Sequence, residues 1–166
     1  MVQGQMALAS EVSLAGAQGR RSSLQMAKVA GQAYRGARLK AGLGRLWALL
    51  TGRGNGLESL EQVLSEHKVR GSHHGGTRAV AIAQIRGSEG RSEDFDAQFR
   101  PLKGHTRGKW MSVALARLKG VVLPAVELAQ VREAYYVLDG HHRISVARAF
   151  GQESIDAAVT VWEVEE

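Results

Sequence analysis

The chain has 166 residues, 44% of them hydrophobic and 23% charged, with 0 cysteines. That composition suits a globular core without covalent staples, and it excludes disulfides, thiolate metal sites and thiol nucleophiles. The net charge of +6 is uneven: residues 1–60 carry eight Lys or Arg against two Asp or Glu, whereas residues 61–166 carry fourteen of each, so a basic segment precedes an electrically balanced one.

Residues 1–22 are rich in Gly, Ser, Ala and Gln and are expected to be poorly ordered. They lack the basic start and long apolar run of a secretory signal. No stretch approaches the roughly 18 consecutive apolar residues of a membrane span, and the chain reads as cytoplasmic.

Residues 23–70 read as a basic α-helical extension. Leu39, Leu43, Leu46, Trp47 and Leu50 fall at i, i+4, i+7, i+8 and i+11, one apolar stripe. Gly31, Gly36, Gly42 and Gly44 weaken such a helix by about 1 kcal/mol each against Ala. It therefore needs a packing partner, either the chain's own domain or a second copy. Arg35, Arg38, Lys40 and Arg45 beside Trp47 equally suit a nucleic acid or a membrane surface. Gly52 to Gly56 breaks the pattern, and Leu57, Leu60, Val63 and Leu64 suggest a short second helix.

Residues 71–78 read as a linker and domain boundary, so the part from Gly75 onward is expected to fold alone. A buried strand over 79–85 leads into a loop over 87–91. Phe95 and Phe99 are placed on one face of a short helix closed by Pro101, and Thr106 as the cap of a helix carrying Trp110, Val113, Ala114 and Leu118. Two strands over 126–131 and 134–138 flank a tight turn at Arg132-Glu133. A helix over 144–150 ends at Gly151, and residues 155–161 alternate as a last strand. The fold class is α+β (mixed α/β): a domain over 79–166 behind a helical extension.

The chemistry concentrates at Asp139-Gly140-His141-His142-Arg143. An apolar strand runs through Gly140 directly into a helix, and a helix start presents N–H groups and the positive dipole end to an anion. Arg143 offers a fork of donors for phosphate oxygens, and His142 a donor or proton shuttle near neutral pH. Asp139 has the chemistry to accept from a hydroxyl, hold Mg²⁺ or act as a base. The same turn also reads as plain structure in which Asp139 only caps the helix. No His spacing matches a protein metal cage.

This segment resembles the ParB/sulfiredoxin-like superfamily. ParB-type partition proteins carry Gly-Glu-Arg-Arg at the matching turn, sulfiredoxins Gly-Cys-His-Arg, and other members, a free-serine kinase among them, an Asp-Gly-x-His-Arg form as here. Leu123-Pro124-Ala125-Val126-Glu127-Leu128 is similar to the family's Gln-Pro-hydrophobic strand start, and Ile85-Arg86-Gly87-Ser88-Glu89-Gly90-Arg91 to its first nucleotide-contacting loop. The resemblance covers roughly residues 79–162. It implies that Gly140, His141, His142 and Arg143 contact a nucleotide, CTP or ATP/ADP with Mg²⁺, and that Arg91 reaches it from the loop. Sulfiredoxin chemistry is excluded, because His141 stands where the cysteine would be. Nothing after the last strand matches ParB's DNA reader, so centromere recognition is not expected.

Three readings stay open. The first is a nucleotide-binding module whose basic helix contacts nucleic acid, a partner or a second copy. The second is a phosphotransferase or NTPase using Asp139, His142 and Glu89. The third is a nucleic-acid-binding or nuclease accessory protein.

Overall fold

The computed structural model describes residues 3–52, 54–90 and 93–165, with side chains from residue 22 onward. In chain order the elements are helix α1 (Gln3–Thr51), strand β1 (Glu58–Ser59), helix α2 (Leu60–Ser65), strands β2 (Val69–Ala81) and β3 (Ile85–Ser88), helix α3 (Arg107–Leu118), strands β4 (Val126–Val131) and β5 (Ala134–Asp139), helix α4 (His141–Ala149) and strand β6 (Ser154–Val164). The strands form one sheet in the order β1-β3-β5-β4-β6-β2. β1, β3 and β5 run parallel, β4 lies antiparallel to β5 and parallel to β6, and β2 closes the far edge antiparallel to β6. The expected mixed α/β fold behind an N-terminal helix is what the chain forms.

Side-chain alternation explains the centre of the sheet. Along β5, Tyr135 and Val137 face a cluster with Ile85, Leu128 and Ile144, while Tyr136 and Leu138 face Leu60 and Ala129. Both faces are covered, so the strand reads as a continuous apolar run. α4 is likewise buried on two sides: Ile144 and Ala147 pack on the sheet, and Val146 packs on α1 and α3 through Ala30, Tyr34, Trp110 and Ala114. The Trp110 indole, fully buried, donates to Ser145 Oγ at 2.9 Å, which satisfies the one polar atom of that side chain.

Gly87 is where β1 reaches β3. A Cβ there would lie 2.2 Å from the Glu58 carbonyl oxygen and 2.6 Å from Tyr136 Cδ1, so only glycine lets the two backbones pair.

Several expectations need correction. α1 is continuous from Gln3, because Ala, Leu and Gln outnumber its glycines over the first turns and no proline interrupts it. Residues 71–78 are not a linker. They lie within β2, paired with β6 from Val69↔Val164 to Ala81↔Ser154, with irregular steps at Val69/Gly71 and His74/Thr77. Glycine and histidine there disguised an exposed edge strand that bulges rather than ends. The strand expected over 79–85 breaks at a single 3₁₀ turn, Ile82–Gln84.

Phe95 and Phe99 are both fully buried, yet not on a helix. Asp96 Oδ1 accepts from the N–H groups of Gln98 and Arg100 at 2.9 and 2.8 Å, and Phe99 takes φ 54°. An Asp-centred turn has displaced the helix that the i, i+4 spacing suggested. Thr106 does not cap α3 with its side chain; its hydroxyl donates to the Lys103 carbonyl at 2.7 Å.

The largest correction concerns the leucine stripe. α1 packs on the body through Ala30, Tyr34 and Ala41, all buried, whereas Leu39, Leu43, Leu46, Trp47 and Leu50 are exposed. Small residues let the helix lie close, so the small-residue face docks in place of the leucine face.

Candidate functional site

β5 ends at Asp139, and Gly140 turns the chain straight into α4 with φ 107° and ψ 18°. This left-handed conformation strains any residue with a Cβ. A Cβ at this position would also meet Val126 Cγ1 at 2.6 Å and Val126 Cβ at 2.8 Å. Gly140 itself is the N-cap, and no side chain caps the helix, so Asp139 is not the cap. The first helical bond runs from Ile144 N to the Gly140 carbonyl at 3.0 Å. The amides of residues 141–143 precede it, at the positive end of the dipole.

Arg143 does not project its fork outward. Its Nη1 donates to the Pro124 and Ala125 carbonyls, 2.7 Å each, and its Nη2 donates to Asp139 Oδ2 at 2.6 Å. The guanidinium clamps three segments: the approach to β4, the end of β5 and the start of α4. Its donors thus go mainly to the protein's own backbone and to Asp139, and what it lends an anion is chiefly positive potential.

The two histidines are buried under the turn. His141 Nε2 lies 2.6 Å from Ser88 Oγ at the end of β3. The Ser88 hydroxyl also bonds the Gly90 carbonyl, and the Gly90 N–H donates back to it at 3.0 Å. The Phe95 ring contacts both imidazoles, stacked with His141 at 6.0 Å and edge-on to His142 at 5.3 Å. Ser88 and Phe95 thus adjoin the turn; the sequence placed Ser88 only as part of the 85–91 loop and Phe95 only on a helix face. The usable signal was a Ser-x-Gly sequence, Ser88-Glu89-Gly90, at the end of a short strand.

Glu89 is exposed on this loop, its N–H donating to the Val137 carbonyl at 3.1 Å. Arg91 lies outside the described residues. Beyond it, Lys103 donates to Glu93 at 2.7 Å and this contact holds the Glu93 carboxyl below its usual range, while His105 approaches Asp94 at 3.2 Å. Asp96 sits fully buried beneath the loop.

The basic residues of α1 lie apart from this turn. Arg35 and Arg45 are exposed, but Arg38 Nη1 donates to the Leu102 carbonyl at 2.6 Å, and the Lys40 carbonyl accepts from Arg100 at 3.2 Å. A cleft of about 890 Å³ opens between α1 and α4, lined by Lys40, Phe99, Arg100 and Arg148 among others. Arg148 bonds Gln98 Oε1 and the Ile82 carbonyl and covers the Phe99 ring; burial lowers its pKa. Among the described residues no group of three or more His, Asp or Glu side chains is arranged to hold a metal ion.

No family model matches the chain, and no curated protein matches it in sequence. A solved structure, sulfiredoxin from Arabidopsis thaliana, superposes over 50% of this chain and 82% of that one, with a TM-score of 0.39 and 16% identity.

Proposed function

We propose that this chain binds a nucleotide, CTP or ATP/ADP, with its phosphates at the start of α4. The observation that carries this reading is the Gly140 turn. It sets the positive end of α4 beside the carboxyl ends of two adjacent parallel strands, β3 and β5, with Ser88 paired to Val137. Sheets of mixed α/β proteins take ligands outside those strand ends, and helix starts take phosphates.

The residues divide the work accordingly. Gly140 leaves room for close approach. Arg143 holds the turn in shape and adds positive potential, and His141 and His142 form its floor with Phe95. Glu89 stands on the loop nearest a bound nucleotide, and Arg91, outside the described residues, is the donor that the family resemblance implies. Any Mg²⁺ arrives on the phosphates, with Asp139 the nearest carboxylate to the turn.

Binding is favoured over phosphoryl transfer by one contact. The Asp139 carboxylate, the base that transfer would need, is engaged by Arg143 at 2.6 Å. Calorimetric titration of the full chain with ATP, ADP and CTP, each with Mg²⁺, tests the reading, with amide NMR shifts locating the ligand. The expected result is micromolar binding with shifts at residues 88–90 and 139–143. Absence of binding by all three, or shifts confined to Lys40, Arg100 and Arg148 in the cleft, overturns it.

A further inference from the structure

α1 presents two opposite faces. At 100° per residue, Leu39, Leu43, Leu46 and Leu50 fall within about 60° of arc, roughly opposite the docked Ala30, Tyr34 and Ala41. Leu39 is 68% exposed, Leu43 60%, Leu46 56% and Leu50 74%, and Trp47 and Leu49 widen the face at 66% and 83%. Six large apolar side chains thus stand in water along about 17 Å of helix. A contiguous patch of this kind marks a contact surface.

The charges around it select the occupant. Arg38, Lys40 and Arg45 lie about 100° to either side of the stripe. The sequence contains no Asp or Glu between Glu11 and Glu58. A second copy docked on this face would bring cations against cations with no acid on this stretch of the helix to offset them. A nucleic acid would meet the cations and leave six apolar side chains uncovered. Beside the stripe, next to Lys40, Leu43 and Gly44, stands Arg100 of the body, with Asn55 close to Gly44, so one shoulder of the face carries a further cation. No helix among the described residues is long and apolar enough to cross a membrane.

We propose that residues 39–50 of α1 lie in the plane of a membrane surface bearing anionic headgroups, with the α/β domain on its aqueous side. Leu39, Leu43, Leu46, Trp47, Leu49 and Leu50 enter the boundary between headgroups and acyl chains, and Lys40 and Arg45 reach the headgroup phosphates.

The test uses the full chain with vesicles of phosphatidylcholine, with and without phosphatidylserine. Co-sedimentation with the phosphatidylserine vesicles is expected, far weaker with the neutral ones, and reduced by salt. Tryptophan emission shifts to the blue on binding, and Trp47→Phe removes most of that shift, because Trp110 is fully buried and Trp162 partly so. Leu43→Asp with Leu46→Asp, both exposed and compatible with folding, lowers partitioning at least about tenfold. Lys40→Glu with Arg45→Glu also lowers it about tenfold or more, and circular dichroism checks that each variant is folded. Failure to bind anionic vesicles overturns the proposal. So does binding that survives the leucine changes, or vesicle-free self-association that buries Trp47, which would make a second copy the occupant.

Discussion

Arg143 and Asp139 meet at 2.6 Å across the turn that starts α4, while Arg143 Nη1 holds the carbonyls of Pro124 and Ala125. The Arg143 side chain is 16% exposed and that of Asp139 66%, so the two halves of this contact differ in worth. The bond to the Ala125 carbonyl is part-buried, whereas the ion pair is largely screened by water.

Removing the guanidinium should therefore cost stability as well as nucleotide affinity. Arg143→Ala is expected to lower the free energy of unfolding by about 2–3 kcal/mol, and Asp139→Asn by less than about 1 kcal/mol. Denaturant unfolding of both variants checks this. Equal losses would show that the ion pair, and not the carbonyl clamp, holds the turn.

Gly140→Ala combines a positive-φ penalty with overlap on Val126. The expected loss is about 2–4 kcal/mol. Adding Val126→Ala removes the Cγ1 contact but leaves Val126 Cβ at 2.8 Å and the φ strain, so a thermal melt of the double variant should recover only part of the overlap penalty, after allowance for the cost of Val126→Ala alone.

Ser145→Ala leaves the buried Trp110 N–H without its acceptor. A loss of about 1–3 kcal/mol is expected. Read by denaturant unfolding, Ser145→Ala should cost less in a Trp110→Phe background, where no N–H remains to orphan.

The Tyr136 hydroxyl donates to Glu58 Oε2 at 3.2 Å, and burial, reinforced by the Glu58 charge, pushes its pKa from 10.0 to about 12. A raised pKa favours the protonated, folded form. Below pH 10 both states are protonated and this contribution is complete. From about pH 10 to 12 the unfolded chain loses its proton first, and stability falls. Unfolding measured across that window should show a decline that Tyr136→Phe reduces.

A chain begun at Gly75 would lack Val69 to His74 of β2, all of β1 and the buried Leu60. It is expected to lose its cooperative thermal transition. A sharp, unshifted melt would show that the β2 edge and β1 add nothing to the core.

The elements with plain local signals were legible in the sequence. β4, β5 and β6 appear as apolar or alternating runs, and Gly120 and Gly151, both at positive φ, end the helices they follow. What escaped was set by contacts distant in sequence. β2 is a strand because β6 lies beside it, although His73, His74, Gly75 and Gly76 argue locally for a flexible stretch. Phe95 and Phe99 are core because Asp96 folds the chain around itself. Within the candidate site the Gly140 turn was readable from strand, glycine and helix in succession. The direction of Arg143 was not, because its acceptors are the carbonyls of residues 124 and 125, which no side-chain pattern encodes. The leucine stripe misled for the same reason: periodicity identifies a face, and packing decides which way it points.

The Tyr34 ring meets Trp110 edge-on at 5.3 Å, and Trp110 in turn holds Ser145 on α4. That series of two contacts makes a stiff lever. Its long arm is α1, and its short arm is the helix whose first turn is the proposed phosphate site. Whatever shifts α1 on the body meets α4 first at Ser145, through the Trp110 ring.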